Sequence, residues 1–203
     1  MAKIKVNKTE AVRRQLDAAI RMLFANEDPL AIHTLSMATF RILRDLAAKR
    51  DESYMHKVVG SMIKPGMEKE FWKFLHGPSN FLKHADTDAG AILDNIDEKV
   101  NDFIILISCF YYQDLGYQYT PEMITLVSWC TALFPDFLRE NLPSVFRDAI
   151  LEARNTLLGK SRKEQLAMGQ EILKLARVTM RGHQNNAKIS HNNANSADRF
   201  RAR

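Results

Sequence analysis

Apolar side chains in this chain recur three and four residues apart, a spacing that gathers them on one stripe of an α-helix and scatters them across both faces of a strand. Between Glu10 and Ala25 the stripe is Val12, Leu16, Ile20 and Leu23. From Pro29 to about Arg50 it is Ile32, Leu35, Ile42, Leu43 and Leu46, with Ala31, Ala38 and Thr39 small enough to let another helix come close. The two segments read as a helical hairpin. Local chemistry marks the starts: Asp28-Pro29 and Thr120-Pro121 place an oxygen-bearing side chain before a proline, whose missing N–H is one the first helical turn leaves unpaired anyway. Ser161-Arg162-Lys163-Glu164 spells a capping box. No segment shows the two-residue alternation or tight turns of a sheet.

The apolar run Phe103 to Tyr112 has strand-like β-branched content, but Ile96, Val100, Phe103, Ile107 and Tyr111 hold helical spacing over a longer window, so a helix is expected. Thr120-Pro121 leads through Met123, Ile124, Val127 and Leu133 to Pro135, and Asn141-Leu142-Pro143 opens a helix through Phe146, Ile150 and Leu157 that Gly159 closes. The last helix carries Leu166, Ile172, Leu173 and Leu175 and fades near Arg181. A weaker helix covers Ser53 to Ile63; another begins at Met67, and Gly77-Pro78 is expected to break it. These readings predict an all-α, single-domain bundle of six to eight helices over residues 10–181, with a flexible start at 1–9 and a disordered, basic, Asn-rich tail at 182–203.

With 203 residues, 46% of them hydrophobic, the chain has enough material for one core without a staple. Its two cysteines, Cys109 and Cys130, stand in apolar surroundings typical of inert buried thiols, so a cytoplasmic protein is expected. The basic start Met1 to Lys8 lacks the apolar run of a secretion signal, and no run reaches the ~18 residues of a membrane span. The net charge of +5 is concentrated at the end: Arg181, Lys188, Arg199, Arg201 and Arg203 against Asp198 leave the first 180 residues at only +1. The tail therefore reads as a solubilising end, with a weak nucleic-acid contact as the alternative.

The densest group of hydrogen-bonding side chains is Asn80, Lys83, His84, Asp86 and Asp88, just past Gly77-Pro78. On one continuous helix Asn80, His84 and Asp88 would share an edge, with His84 able to move a proton near neutral pH, Asn80 orienting it and Lys83 meeting developing negative charge. The bland alternative is that Asn80 and Asp86 cap helix ends and His84 is solvated. His84, Asp86 and Asp88 cluster, and His33 with Asp28 could approach them from the first hairpin to hold a metal, but His33 reads better as a core or boundary histidine bonded to a neighbour. Neither Glu-x-x-His, Cys-x-x-Cys nor His-Glu-x-x-His is present, so no metal or cofactor is expected. Phe71, Trp72, Phe74 and Phe81 read as core aromatics, and Arg50 with His56 is a pairing of low specificity.

Arg14 to Ile20, Asp28 to Leu35 and Asn80 to Asp86, with Ser128-Trp129-Cys130 and Phe134-Pro135, resemble a group of uncharacterised all-helical bacterial proteins, over roughly Arg13 to Pro135. That resemblance implies a bacterial source. More remotely, paired helices followed by Asn80-x-x-Lys83-His84 are similar to HEPN domains, helical dimers that include toxin ribonucleases and nucleotide-binding modules. Catalytic members of that family carry an Arg about four residues before a His. Here Asn80 holds that place before His84, and the nearest Arg-to-His pairing is Arg50 with His56. The expectation is a homodimeric binding or interaction module, possessing a protein partner or a second copy; the alternative is a HEPN-like ribonuclease or nucleotide-binding protein in which His84 or His56 is the base and Lys83 or Arg50 steadies phosphate.

Overall fold

A computed structural model describes residues 3–50, 57, 65–66, 68–83, 89–94, 97–134 and 144–180, without the side chains of Phe74 and 144–150. Among these, seven helices and no strand are present: α1 (Lys8–Phe24), α2 (Pro29–Ala47), α3 (Glu68–Phe81), α4 (Val100–Asp114), α5 (Pro121–Leu133), α6 (Ser144–Leu157) and α7 (162–180). The all-α bundle expected from periodicity is the fold. The helix read at 53–63, the opening at Asn141 to Pro143 and the tail at 182–203 lie outside the described residues.

Helix starts follow the capping chemistry. The Asp28 carboxylate accepts from the Leu30 and Ala31 amides at 2.9 and 3.0 Å, and Thr120 Oγ1 accepts from Met123 at 3.2 Å. Ser161 and Glu164 close their capping box, the Ser161 amide donating to Glu164 at 2.8 Å. Asn7 caps α1 through the Glu10 amide at 2.8 Å, a signal the sequence reading passed over. Between α1 and α2 the chain turns at Asn26, whose φ of 54° is the left-handed conformation asparagine tolerates better than most residues.

α4 is the axis of the bundle. Its residues Ile104, Ile105, Leu106, Ile107, Cys109 and Tyr111 are buried on every side, as a helix without a polar face must be. α2 and α1 form the hairpin against it, and α5 closes another side. Aromatic edges lock the seams: Phe40 meets Tyr111 with centroids 6.0 Å apart, and Phe24 meets Trp129 at 5.5 Å. Burial of each such side chain contributes about 1.5–3 kcal/mol.

α7 is fastened by both apolar and ionic contacts. Leu166 and Leu173 are buried, whereas Ile172 and Leu175, read from the sequence on the same footing, are exposed. Gly169 lies so close to the Phe24 ring that no β-carbon would fit. Arg162 grips both oxygens of the buried Asp102 at 2.8 and 2.6 Å and lies over the Trp129 ring, while the Trp129 indole donates to the Gln165 carbonyl at 2.9 Å. Arg177 and Arg21 converge on Glu122.

One sequence expectation fails. Gly77-Pro78 does not break the helix that begins near residue 68; α3 runs through both to Phe81. Buried Leu75 and Ser79 flank the pair, and Trp72 packs on Phe40 at 6.4 Å, so tertiary contacts outweigh the lost proline hydrogen bond. α3 ends at Phe81 and residues 82–83 form a turn, while His84 and Asp88 of the edge expected from Asn80 lie outside the described residues.

Candidate functional site

Because α3 continues through Pro78, His76 and Asn80 fall four residues apart on one face, and that face meets Arg41 of α2. Arg41 Nη2 donates to His76 Nδ1 and to Asn80 Oδ1, each at 3.5 Å, long contacts that leave most of the five guanidinium donors uncommitted to them. An imidazole that accepts at Nδ1 carries its proton on Nε2. His76 stacks on Trp72 with centroids 5.5 Å apart and planes 15° from parallel. Arg44, one turn beyond Arg41, lies 5.9 Å over the same indole. Lys83 follows α3 directly and is exposed.

The charges here repel one another. Burial first, and then Arg41, Arg44 and Lys83, push the His76 pKa down. Lys83 is pushed down by partial burial and by Arg41. Arg44 pairs with its neighbour Asp45 at 3.1 Å, but among the described residues no carboxylate pairs with Arg41 or Lys83. Every other arginine cluster in the described chain is answered by acid: Arg13 and Arg14 by Glu10, Arg162 by Asp102, Arg21 and Arg177 by Glu122.

Beneath this rim His33 is 0% exposed. Its Nδ1 lies 3.0 Å from Asn101 Oδ1, and Asn101 Nδ2 donates to the Pro29 carbonyl at 3.0 Å, so Asn101 ties the start of α2 to the start of α4. The Asn101 oxygen accepts, which puts the histidine proton on Nδ1 and leaves Nε2 as a buried acceptor without a partner among the described residues. Burial, with the charge of Lys83, pushes the His33 pKa down and keeps it neutral.

Of the residues singled out from sequence, Asn80 therefore joins α2 through Arg41, and Lys83 lies close enough to feel Arg41 and to act on His33. Arg50 is exposed past the end of α2, with no hydrogen bond or ion pair among the described residues joining it to this group. His84, Asp86, Asp88 and His56 lie outside the described residues. Asn80 is a helical residue facing Arg41, not a helix cap, and Asp28 spends its carboxylate on capping α2. Arg41, Arg44 and His76 were missed; the available signal was His76 four residues before Asn80, hidden by the expected break at Gly77.

Among the described residues no group of three or more His, Cys, Asp or Glu is placed to hold a metal ion. Cys109 and Cys130 are buried and unpaired, and burial pushes both thiols up, away from the nucleophilic thiolate. No described helix is long and apolar enough to cross a membrane. No protein-family model, curated protein or solved structure matches the chain.

Proposed function

We propose that the protein is a binding module whose α2–α3 rim receives a phosphate-bearing ligand. The observation that carries this reading is the contact of Arg41 on α2 with His76 and Asn80 on α3, close enough to Lys83 in the turn that follows for their charges to act on each other, without a described carboxylate to neutralise Arg41 or Lys83. A phosphate would supply the missing charge. Arg41 presents a planar fork to its oxygens, Lys83 a mobile point charge, and His76 Nε2–H a neutral donor. Asn80 holds Arg41 in place. Two unpaired, buried thiols fit a reducing, cytoplasmic setting, and a homodimer is part of the same reading through the HEPN resemblance.

The test is calorimetric titration with ADP and with a 12-nucleotide single-stranded RNA. Arg41→Ala and Lys83→Ala should each weaken binding about tenfold, the ~1.4 kcal/mol that one charge-assisted bond supplies, and binding should fall with added salt. Lys83→Ala should keep the melting temperature of the parent, since that side chain is exposed, and Arg41→Ala, at a half-buried position, should lower it by no more than a few degrees. Failure of both probes to bind at millimolar concentration, or binding indifferent to both substitutions, refutes the reading. Cleavage of the RNA, lost in His84→Ala, would favour the ribonuclease alternative over simple binding.

A further inference from the structure

The basic character of the α2–α3 rim does not stop at Arg41 and Lys83. Lys69 precedes His76 by seven residues and Lys73 precedes Asn80 by seven, two turns in each case, which returns a side chain to nearly the same face of α3. Arg41 marks that face, since it reaches both His76 and Asn80. Lys69 and Lys73 are exposed, and neither makes a hydrogen bond or an ion pair among the described residues. α2 and α3 run antiparallel here, because Arg41 meets His76 and Asn80 while Arg44, further along α2, lies over the earlier Trp72.

The four cations form a row with a regular step. At a rise of about 1.5 Å per residue, Lys73 stands about 6 Å beyond Lys69, and Arg41, level with the midpoint of His76 and Asn80, about 7–8 Å beyond Lys73. Lys83 follows after a similar interval, near enough for the charge of Arg41 to act on it. The acids stand aside. Asp45 pairs with Arg44, and exposed Glu70 falls outside the row, about 60–100° round the axis from the two lysines, pairing with neither among the described residues. Like charges held in a row repel one another, and a polyanion of matching step removes that cost.

Resting on the reading of this rim as a phosphate site, we infer that its ligand is a single-stranded nucleic acid laid along α3, with successive backbone phosphates at Lys69, Lys73, Arg41 and Lys83. An extended strand spaces its phosphates at roughly twice the ~3.4 Å rise of a stacked one, which matches the step of the row. Inorganic polyphosphate crowds its charges closer than that, and a mononucleotide is too short to reach all four cations. The Trp72 ring beside the row is already engaged by His76 and Arg44, so the bases find no aromatic platform there and the strand is held without regard to sequence.

The test is a fluorescence-anisotropy titration of the full chain with 12-nucleotide strands of oligouridylate, of oligoadenylate and of a backbone without bases, beside calorimetry with ADP. The three strands should bind within about threefold of one another, and log affinity should fall with log salt at a slope of about −2 to −3, four phosphates at ~0.7 each. Lys69→Ala and Lys73→Ala should each weaken strand binding about three- to tenfold and flatten the slope by ~0.7, leaving ADP affinity within about twofold. Both lysines are exposed, so the melting temperature should not move. Lys163→Ala removes the same charge from α7 and should leave strand binding unchanged. ADP binding that needs Arg41, together with strand binding untouched by Lys69→Ala and Lys73→Ala, would leave the phosphate site standing and overturn the strand. So would an equal loss in Lys163→Ala, or displacement of the strand by polyphosphate at lower concentration than by the baseless backbone. Failure of ADP and of every strand to bind would overturn both readings together.

Discussion

Arg162→Met removes the partner of a carboxylate that is only 3% exposed. In the parent, two hydrogen bonds of 2.8 and 2.6 Å reach the two Asp102 oxygens, and the Arg162 side chain is 18% exposed. Breaking a buried pair from one side costs about 3–5 kcal/mol, because the surviving charge keeps its desolvation and loses its compensation. Arg162 also lies 5.3 Å over Trp129, worth a further ~0.5–1 kcal/mol. If on the order of 180 residues unfold together at ~2.1 cal/mol/K each, the pair alone corresponds to a melting temperature lower by about 8–13 °C.

Methionine keeps most of the packing volume, so the loss reports charge. Burial already raises the Asp102 pKa, and Arg162 opposes the rise; without it the carboxyl moves further up. A carboxyl whose folded pKa exceeds its unfolded value favours the fold when protonated, and that contribution disappears as pH climbs through the folded value. Arg162→Met should therefore lie closer to the parent at pH 5 than at pH 8. The double variant Asp102→Asn, Arg162→Met should be no less stable than Arg162→Met alone, since the orphaned charge is gone. Calorimetry and urea titration at both pH values measure all of this. A loss under ~1 kcal/mol, or one equal at the two pH values, refutes the reasoning.

Gly169→Ala should destabilise by roughly 1–3 kcal/mol through collision with the buried Phe24 ring, where alanine in an ordinary helix gains ~1 kcal/mol; a higher melting temperature would contradict the close approach. Thr120→Val removes both the cap on α5 and the 2.6 Å bond to Asp17, a loss of about 2–3 kcal/mol by urea titration, with Thr120→Ser restoring most of it. His33, whose pKa burial and Lys83 lower, supports the fold fully above its unfolded value of ~6.5 and loses that support as pH falls toward the folded one. Urea midpoints should decline from pH 7.5 to 5, and His33→Gln should flatten part of the slope, His76 adding a contribution of the same sign. An unchanged slope in His33→Gln would show that the imidazole is not held neutral.

Helix starts were legible because their chemistry is local: Asp28-Pro29, Thr120-Pro121 and the Ser161–Glu164 box each need only neighbours within four residues. The continuation of α3 through Gly77-Pro78 was not, because Trp72 on Phe40 and buried Leu75 are tertiary facts that local propensity does not contain. Buried acids escaped for the same reason. Asp17 sits beside Ala18 and Ala19 with Arg13 one turn before it, and Asp102 precedes an apolar run, but their burial is explained by Thr120 and Arg162, 103 and 60 positions away. The rim was half legible: Asn80 and Lys83 stood out by composition, whereas Arg41 acquires meaning only when α2 meets α3.

Pro78 brings no amide to the Phe74 carbonyl, so the last turn of α3 is tethered to the turn before it by one bond fewer than an ordinary helix would have. The segment bearing Trp72 stays clamped against Phe40, while the segment bearing Asn80 and leading to Lys83 can hinge on the proline. Amide exchange should accordingly be faster after residue 78 than before it, and a ligand that bridges Arg41 to Lys83 should slow it on that side alone.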